Sequence, residues 1–256
     1  MIAREFRLFL VALQFLTRIP VRSFDGFEPS WLDRSAKYFP AVGALVGAIC
    51  AVVVLATTAV LPQPLPMVLG LAAGIAVTGA FHEDGLADTA DGLGGGLTRE
   101  RRLEIMKDSR IGTYGAVALI TMFAIKAASL LAIGPFVMAL VLIASHALGR
   151  LATVIAIWVM PYAGDSDAAK VKPLATSPEG SEVAVALALA LIPGLLTLYP
   201  MTLAIGIIAG TLAAGALAYL SYRLIGGYTG DVLGAIEQVF ETAFLVAAAA
   251  VIAGPG

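Results

Sequence analysis

The sequence predicts an all-α, polytopic integral membrane protein: about seven transmembrane helices and an N-terminal interfacial helix, in a single catalytic domain over residues 1–256. Of its residues, 59% are hydrophobic and only 13% are charged. Ordinary globular domains carry about 25% charged residues. So little charge could not cover a water-exposed surface. The apolar runs are also long and continuous rather than alternating, which favours membrane helices over the strands of a membrane barrel.

Seven apolar stretches are long enough to cross a bilayer or nearly so. They are residues 38–60, 67–82, 113–133, 136–160, 182–199, 202–222 and 232–253. The first 17 residues are different, because Arg4, Glu5 and Arg7 precede an apolar run that is short for a span. This pattern is typical of an amphipathic helix at the membrane surface.

The positive charges predict the orientation of the spans. Seven spans place the polar loops 19–37, 83–112, 161–181 and 223–231 on one side of the membrane. The basic residues of that side are Arg18, Arg22, Arg34, Lys37, Arg99, Arg101, Arg102, Lys107, Arg110, Lys170, Lys172 and Arg223, and the opposite loops contain no Lys or Arg. The positive-inside rule therefore predicts a multi-pass protein with its polar loops in the cytoplasm.

Carboxylates are concentrated where the second span enters the cytoplasmic side. Asp84, Asp88 and Asp91 follow the spacing i, i+4, i+7, which places them on one face of a helix, and Glu83 adjoins them. Such hard oxygen ligands suit Mg²⁺ or Mn²⁺. The alternative is an acidic, solvated helix start. Asp231 opens the last span and is predicted to complete the metal site, unless it serves only as the helix N-cap.

The loop 83–112 combines these carboxylates with basic residues. Residues 92–96 include four glycines and are predicted not to hold a helix, whereas 99–106 is predicted to be a short helix. Lys107 and Arg110 are predicted to contact a pyrophosphate, because phosphoryl transfer needs a divalent cation and positive side chains together. For Arg99, Arg101 and Arg102, an ordinary basic loop that attracts anionic lipid is the alternative.

Ionisable residues inside spans are costly and are therefore candidate functional groups. They are Lys126, His146, Arg150, Glu237 and Glu241. We predict that Arg150 and Glu237 bind substrate together with His82, which adjoins the carboxylates. The alternatives are structural ion pairs, such as Glu241 with Arg150 or Lys126, and a hydrogen-bonded packing role for His146.

Five segments together resemble the cobalamin synthase family, also called cobalamin-5′-phosphate synthase or adenosylcobinamide-GDP ribazoletransferase. They are residues 14–20, 38–43, 82–92, 106–115 and 226–235, which follow one another along the whole chain. The resemblance implies a Mg²⁺-dependent transferase that is integral to a bacterial or archaeal cytoplasmic (inner) membrane, with its active site facing the cytoplasm. It joins adenosylcobinamide-GDP to α-ribazole or α-ribazole 5′-phosphate, releases GMP and so completes the nucleotide loop of vitamin B12.

Applied to this chain, the resemblance gives each residue a role. The predicted metal ligands are Glu83, Asp84, Asp88, Asp91 and Asp231; the predicted catalytic residues are Asp84, Asp88, Asp91 and Asp108; and the predicted substrate-binding residues are His82, Lys107, Arg110, Arg150 and Glu237. Asp108 or Asp91 would accept the proton of the attacking hydroxyl group.

The expected partners are these substrates and the bilayer, without nucleic acid, and a homo-oligomer is left open. Two other functions are the alternatives: a membrane cation transporter and a CDP-alcohol-type lipid phosphotransferase.

Overall fold

The computed structural model describes residues 2–21, 28, 30–164 and 177–254, and in these ranges it has eleven α-helices and no β-strand. The helices are α1 (Ile2–Leu16), α2 (Ser30–Ser35), α3 (Phe39–Thr58), α4 (Leu65–Thr78), α5 (Phe81–Gly95), α6 (Arg99–Met106), α7 (Thr113–Leu131), α8 (Pro135–Val159), α9 (Gly180–Thr197), α10 (Pro200–Ile225) and α11 (Gly230–Ala253). A short 3-10 turn, Ala36–Tyr38, joins α2 to α3. The all-helical prediction is confirmed.

Helix α1 is amphipathic, as predicted. Its buried face consists of Leu8, Val11, Ala12, Leu13 and Leu16, and it packs on α2, α3 and the 3-10 turn. Glu5 accepts a hydrogen bond from Tyr38 (2.8 Å) and pairs with Lys37 (2.7 Å). The Lys37 ammonium and the Tyr38 hydroxyl lower the pKa of Glu5 below its usual value.

Six helical segments of the described chain are long and apolar enough to cross a membrane. They are Ser30–Thr58, which includes α2 and α3, and the helices α7, α8, α9, α10 and α11. The predicted span 67–82 corresponds to α4, which has 14 residues and is followed by α5 at a bend of 87°. Counted as one broken span, this pair gives the seven predicted spans. Helices α8 and α11 form the buried centre, and α7, α9 and α10 leave most of their apolar surface exposed, as expected for helices that face lipid.

The bend between α4 and α5 comes from two consecutive left-handed residues, Gly79 (φ 68°) and Ala80 (φ 60°). The first ends α4, because the backbone N–H groups of both residues turn back to the carbonyl of Ile75. Helix α5 therefore leaves the direction of α4 almost at a right angle and runs across α11.

The prediction that residues 92–96 cannot hold a helix is wrong, because α5 continues to Gly95. Tertiary packing outweighs the low helix propensity of glycine here. A β-carbon at Gly92 would collide with the Met106 side chain on α6, and one at Gly94 would lie 3.0 Å from the Tyr114 ring on α7. The predicted helix 99–106 is confirmed as α6, with Thr98 as its N-cap.

Parts of three of the polar loops meet at one end of the bundle, as expected for loops that lie on one side of a membrane. Arg99 donates hydrogen bonds to the carbonyls of Ile225 (2.8 Å) and Ala163 (2.9 Å). Tyr228 donates its backbone N–H to Pro161, and its carbonyl accepts from Ala163. Three of the basic residues counted for this side, Arg22, Lys170 and Lys172, lie outside the described residues.

Candidate functional site

Three aspartates from two distant parts of the chain meet where α5 crosses the start of α11. Asp84 and Asp88 lie on α5, and Asp231 lies in the first turn of α11. Asp84, Asp231 and Asp91 are each close enough to Asp88 for their negative charges to repel its carboxylate, and Asp84 also acts on Asp231. We call Asp84, Asp88 and Asp231 the aspartate cluster. Like charges gathered in this way favour a bound cation.

Two glycines bring the helices close enough to form this cluster. A β-carbon at Gly85 of α5 would lie 2.7 Å from the carbonyl oxygen of Asp231. A β-carbon at Gly234 of α11 would lie 3.2 Å from the Cα of His82. Larger residues would therefore push α5 away from α11. Neither glycine was predicted from the sequence, although each lies within three residues of a predicted ligand.

Asp231 is not the N-cap of α11, so that alternative is wrong. The N-cap is Thr229, whose hydroxyl accepts a hydrogen bond from the backbone N–H of Val232 at 3.3 Å. The same hydroxyl donates to the Asp231 carboxylate at 3.3 Å. Asp231 is thus held in place beside α5, and it does not terminate the helix.

Asp91 lies on the same helix as Asp84 and Asp88, but the structure gives it a different contact. Its carboxylate is buried and accepts hydrogen bonds from the backbone N–H groups of Gly112 (2.7 Å) and Gly115 (2.9 Å). These groups belong to the N-terminal end of α7, where orphan donors need a partner. Asp91 therefore caps α7 across the loop. Its predicted roles as metal ligand and proton acceptor stay predictions.

Glu83 adjoins Asp84 in sequence, yet its carboxylate contacts a different group of residues. One oxygen accepts a hydrogen bond from the Gln238 side chain (3.1 Å), and the other is buried without a hydrogen-bond partner. Consecutive helical positions differ by about 100° in direction. The Glu83 carboxylate thus contacts Gln238, and its predicted role as a metal ligand stays a prediction.

Asp108 and Arg110, which follow α6 and were predicted as site residues, form an ion pair with each other. Arg110 donates from Nε and Nη2 to the two carboxylate oxygens of Asp108, at 3.0 and 2.7 Å. The Arg110 guanidinium lowers the pKa of Asp108 to about 2, and Asp108 in turn raises the pKa of Arg110. A carboxylate with so low a pKa is a weak base, which disfavours Asp108 as the proton acceptor. Lys107 is exposed at the C-cap of α6.

Two arginines of α6 have a role that the sequence did not indicate. Arg99 and Arg102 donate to the carbonyls of Ile225 (2.8 Å) and Leu224 (3.5 Å), at the C-terminal end of α10. Unpaired carbonyls at a helix end favour such cations. Arg101 instead pairs with Glu104 on the exposed face of α6 (2.7 Å). The basic helix is therefore docked on α10 by two of its three arginines.

The ionisable residues within the spans form one buried group with Gln238 and the half-buried Glu83, and we call this set the buried network. It contains Glu83, Lys126, His146, Arg150, Glu237, Gln238 and Glu241. Lys126 lies 2.9 Å from Glu241, and Arg150 lies 2.6 Å from Glu241 and also pairs with Glu237. The alternative of structural ion pairs for Glu241 is confirmed with both cations.

The oxygen and nitrogen ligands of His146, Glu237 and Glu241 lie close enough together to hold a metal ion. The Arg150 guanidinium is already at that position, because the same nitrogen contacts both glutamates and lies 2.8 Å from the imidazole of His146. The Arg150 guanidinium thus supplies the positive charge that a metal ion would otherwise bring to these ligands. Arg150 and Glu237 were predicted to bind substrate; here they bind each other, at exposures of 2% and 0%.

His82 is also buried, and it lines a cavity of about 20 Å³ together with Glu83, Lys126, His146 and Gln238. That volume holds about one water molecule. The Nδ1 atom of His82 has no hydrogen-bond partner in this cavity. His82 thus adjoins the buried network, and its predicted contact with substrate stays a prediction.

Comparison with known proteins identifies the family. A family model described as cobalamin-5-phosphate synthase (CobS) matches residues 8–249. Over 249 residues, 93% of each chain, the sequence is 44% identical to an adenosylcobinamide-GDP ribazoletransferase of Leptothrix cholodnii. Enzymes of the same name from Shewanella woodyi and Vibrio parahaemolyticus are 42% and 40% identical, over 94% and 93% of this chain and 94% and 89% of theirs. No solved structure matches the chain. The chain belongs to the cobalamin-5-phosphate synthase family.

Proposed function

We propose that this chain transfers the adenosylcobinamide phosphoryl group from adenosylcobinamide-GDP to α-ribazole or α-ribazole 5′-phosphate and releases GMP. The transferase activity follows from the family and from its named relatives. The observation that carries the chemistry is the aspartate cluster, where carboxylates of α5 and α11 converge at the end of the bundle that carries the polar loops.

We further propose that Asp84, Asp88 and Asp231 hold Mg²⁺. The donor set fits this ion, because all three ligands are hard carboxylate oxygens that repel each other when no cation is present. When bound, Mg²⁺ would supply positive charge to the site, and this would stabilise the charge that develops in phosphoryl transfer. Asp91 contributes by fixing the start of α7 against α5.

Lys107 and Arg110 are proposed to neutralise the phosphates of the leaving GMP. Both are exposed on the loop between α6 and α7, the loop whose C-terminal part Asp91 ties to α5. Arg110 would exchange part of its contact with Asp108 for a phosphate, which its planar guanidinium binds in the same bidentate manner.

The site is proposed to face the cytoplasm of a bacterial or archaeal cell, with the protein in its cytoplasmic membrane. Support comes from the positive charges, because Arg99, Arg101, Arg102, Lys107 and Arg110 all lie at the end that carries the aspartate cluster. Assembly with further copies of the chain stays a prediction.

The buried network is the one observation that would favour a cation transporter. Its carboxylates, however, are paired with Arg150 and Lys126, and the adjoining cavity is about 20 Å³. This arrangement supports a closed, structural role more than a transport path.

The decisive experiment uses the purified full chain in lipid nanodiscs with Mg²⁺, adenosylcobinamide-GDP and α-ribazole 5′-phosphate. We expect release of GMP in step with formation of adenosylcobalamin 5′-phosphate, and no release after chelation of the metal. Turnover of a CDP-alcohol in the absence of any GMP release would contradict the proposal. Metal-dependent ion flux in liposomes would support the transporter.

A further inference from the structure

We propose that Glu83 and Gln238 are positioning residues, through which the buried network sets the distance and orientation of the aspartate cluster. This inference rests on the proposed function of that cluster as the Mg²⁺ site. Neither residue is proposed to touch metal or substrate. Their role is to hold α5 on α11 so that Asp84 and Asp88 face Asp231.

The hydrogen bonds of the network form a continuous chain from the centre of the bundle to α5. Arg150 donates to Glu241 at 2.6 Å, and Lys126 donates to the other oxygen of Glu241 at 2.9 Å. Lys126 also donates to the side-chain oxygen of Gln238 at 2.6 Å. The side-chain nitrogen of Gln238 then donates to Glu83 at 3.1 Å.

This chain of hydrogen bonds fixes the orientation of the Gln238 amide. Because the Lys126 ammonium can only donate, the amide oxygen must face Lys126 and the amide nitrogen must face Glu83. A side chain with one acceptor end and one donor end is therefore required at position 238. Glu83 depends on it, since its second oxygen is buried without a partner. Loss of this bond would leave the half-buried Glu83 carboxylate, one oxygen of which is fully buried, without any hydrogen bond from the protein, which is unfavourable.

The same face of α11 carries both the positioning contact and the metal ligand. Asp231 and Gln238 are seven residues apart, about two helical turns, and so point in nearly the same direction. Between them lies Gly234, against which α5 packs at His82. Helix α5 is thus held at two neighbouring points, by Glu83 on Gln238 and by Gly85 on Asp231. A shift at the first point would rotate Asp84 and Asp88 relative to Asp231.

A charge swap tests the inference. In Gln238→Glu a new carboxylate faces the carboxylate of Glu83, and repulsion should move α5. The double variant Glu83→Gln with Gln238→Glu restores the polarity, because the amide now at position 83 can donate to the carboxylate now at position 238. That carboxylate can still accept from Lys126.

The measurement is the affinity of the full-length protein for Mn²⁺, by electron paramagnetic resonance in the absence of substrate. The Mg²⁺ dependence of GMP release is measured separately.

We expect Gln238→Glu to weaken Mn²⁺ binding by about 10–100-fold, the range found when a group that orients a metal ligand is lost. The Mg²⁺ concentration for half-maximal rate should rise in parallel, with a smaller change in kcat at saturating Mg²⁺. The double variant should return to within about threefold of the wild type. Glu83→Gln alone should have a small effect, because an amide at position 83 can still accept from Gln238.

The control is Met138→Ala. Met138 is fully buried and lies near the N-terminal end of α8, about three turns before Arg150. The substitution should lower Tm and leave Mn²⁺ affinity unchanged. The inference would be overturned by any of three results. Mn²⁺ affinity could be unchanged in Gln238→Glu, the double variant could fail to restore it, or Met138→Ala could lose as much. If Gln238→Glu does not fold, Gln238→Met removes both bonds without added charge, and wild-type Mn²⁺ affinity in that variant would overturn it too. Absence of GMP release by the wild type would instead count against the proposed function, since the Mn²⁺ measurement does not depend on it.

Discussion

The aspartate cluster and the buried network each gather three carboxylates from α5 and α11, but they differ in where the balancing charge comes from. In the buried network Glu237 and Glu241 pair with Arg150 and Lys126, so positive side chains from the protein complete the group. In the aspartate cluster Asp84, Asp88 and Asp231 act on each other as like charges. The comparison supports the proposal that the aspartate cluster binds an external cation, because no positive side chain in the described part of the chain is paired with it.

The largest effect is expected from breaking the buried network at its central cation. Arg150→Met leaves Glu237 and part of Glu241 buried without their partner, and should lower the free energy of unfolding by about 3–5 kcal/mol. Reversible unfolding in detergent measures it. The double variant Arg150→Met with Glu237→Met, which removes both members of a pair, should recover much of the loss. Equal stability of Arg150→Met and the wild type would contradict the structural role of the network.

A substitution in the aspartate cluster should lower activity without lowering stability, the reverse of the effect expected in the buried network. Asp231→Asn should reduce GMP release more than about a hundredfold, beyond the cost of losing a group that only supports a ligand. Its Tm should stay the same or rise, because one repelling charge is removed. Glu104→Gln, on the exposed face of α6, is the matched control and should retain activity. Loss of both stability and activity in Asp231→Asn would make the two groups alike and remove the distinction.

Asp91 is an intermediate case, because backbone N–H groups take the place of a cation. In Asp91→Asn one amide hydrogen faces a backbone donor, so the cap of α7 is weakened by about 1 kcal/mol. GMP release should fall much less than in Asp231→Asn. Chemical unfolding and the transferase assay on the same sample distinguish the roles. An Asp91→Asn protein that is fully stable and inactive would assign Asp91 to the metal site instead.

The smallest effect is expected at Asp108. A proton acceptor would contribute about 10²–10⁴-fold to the rate, whereas loss of a surface ion pair should change it less than about fivefold.

The pKa of Asp108 is about 2, so the pair with Arg110 is complete at neutral pH. A lowered carboxyl pKa stabilises the folded state above the unfolded value, and this contribution is lost only as the pH falls from about 4 towards 2. A pH–rate profile of Asp108→Asn between about pH 6 and pH 9 should therefore match the wild type. Disappearance of an ionisation from the profile would restore Asp108 as the base.

The features that the sequence predicted correctly depend on the length of apolar runs and on the spacing of charged residues. Apolar length located the spans, because every backbone polar group in lipid must be satisfied within a helix. The spacing of Asp84 and Asp88 placed them on one face of α5, and the position of Asp231 at the start of the last span placed it at the same end of the bundle. Each of these inferences needs only the chain's own local geometry.

The features that the sequence did not predict depend on neighbours far along the chain. The helix through residues 92–95 is stabilised by α6 and α7, the direction of Glu83 is set by Gln238, and the Asp91 carboxylate is bound by the start of α7. Gln238 could have been noticed as a polar residue in a span. Its partners could not, since they come from α5 and α7, more than a hundred residues earlier.

The corner between α4 and α5 has a consequence for mutational tolerance. Ala80 adopts a left-handed conformation that L-residues reach at a cost of about 1–2 kcal/mol, whereas glycine reaches it freely. In a saturation library selected for B12 synthesis, position 80 should therefore accept Gly and Asn and reject Val and Ile, although its side chain has no proposed role in the reaction. The backbone conformation at this corner would then limit which residues position 80 tolerates, independently of the reaction.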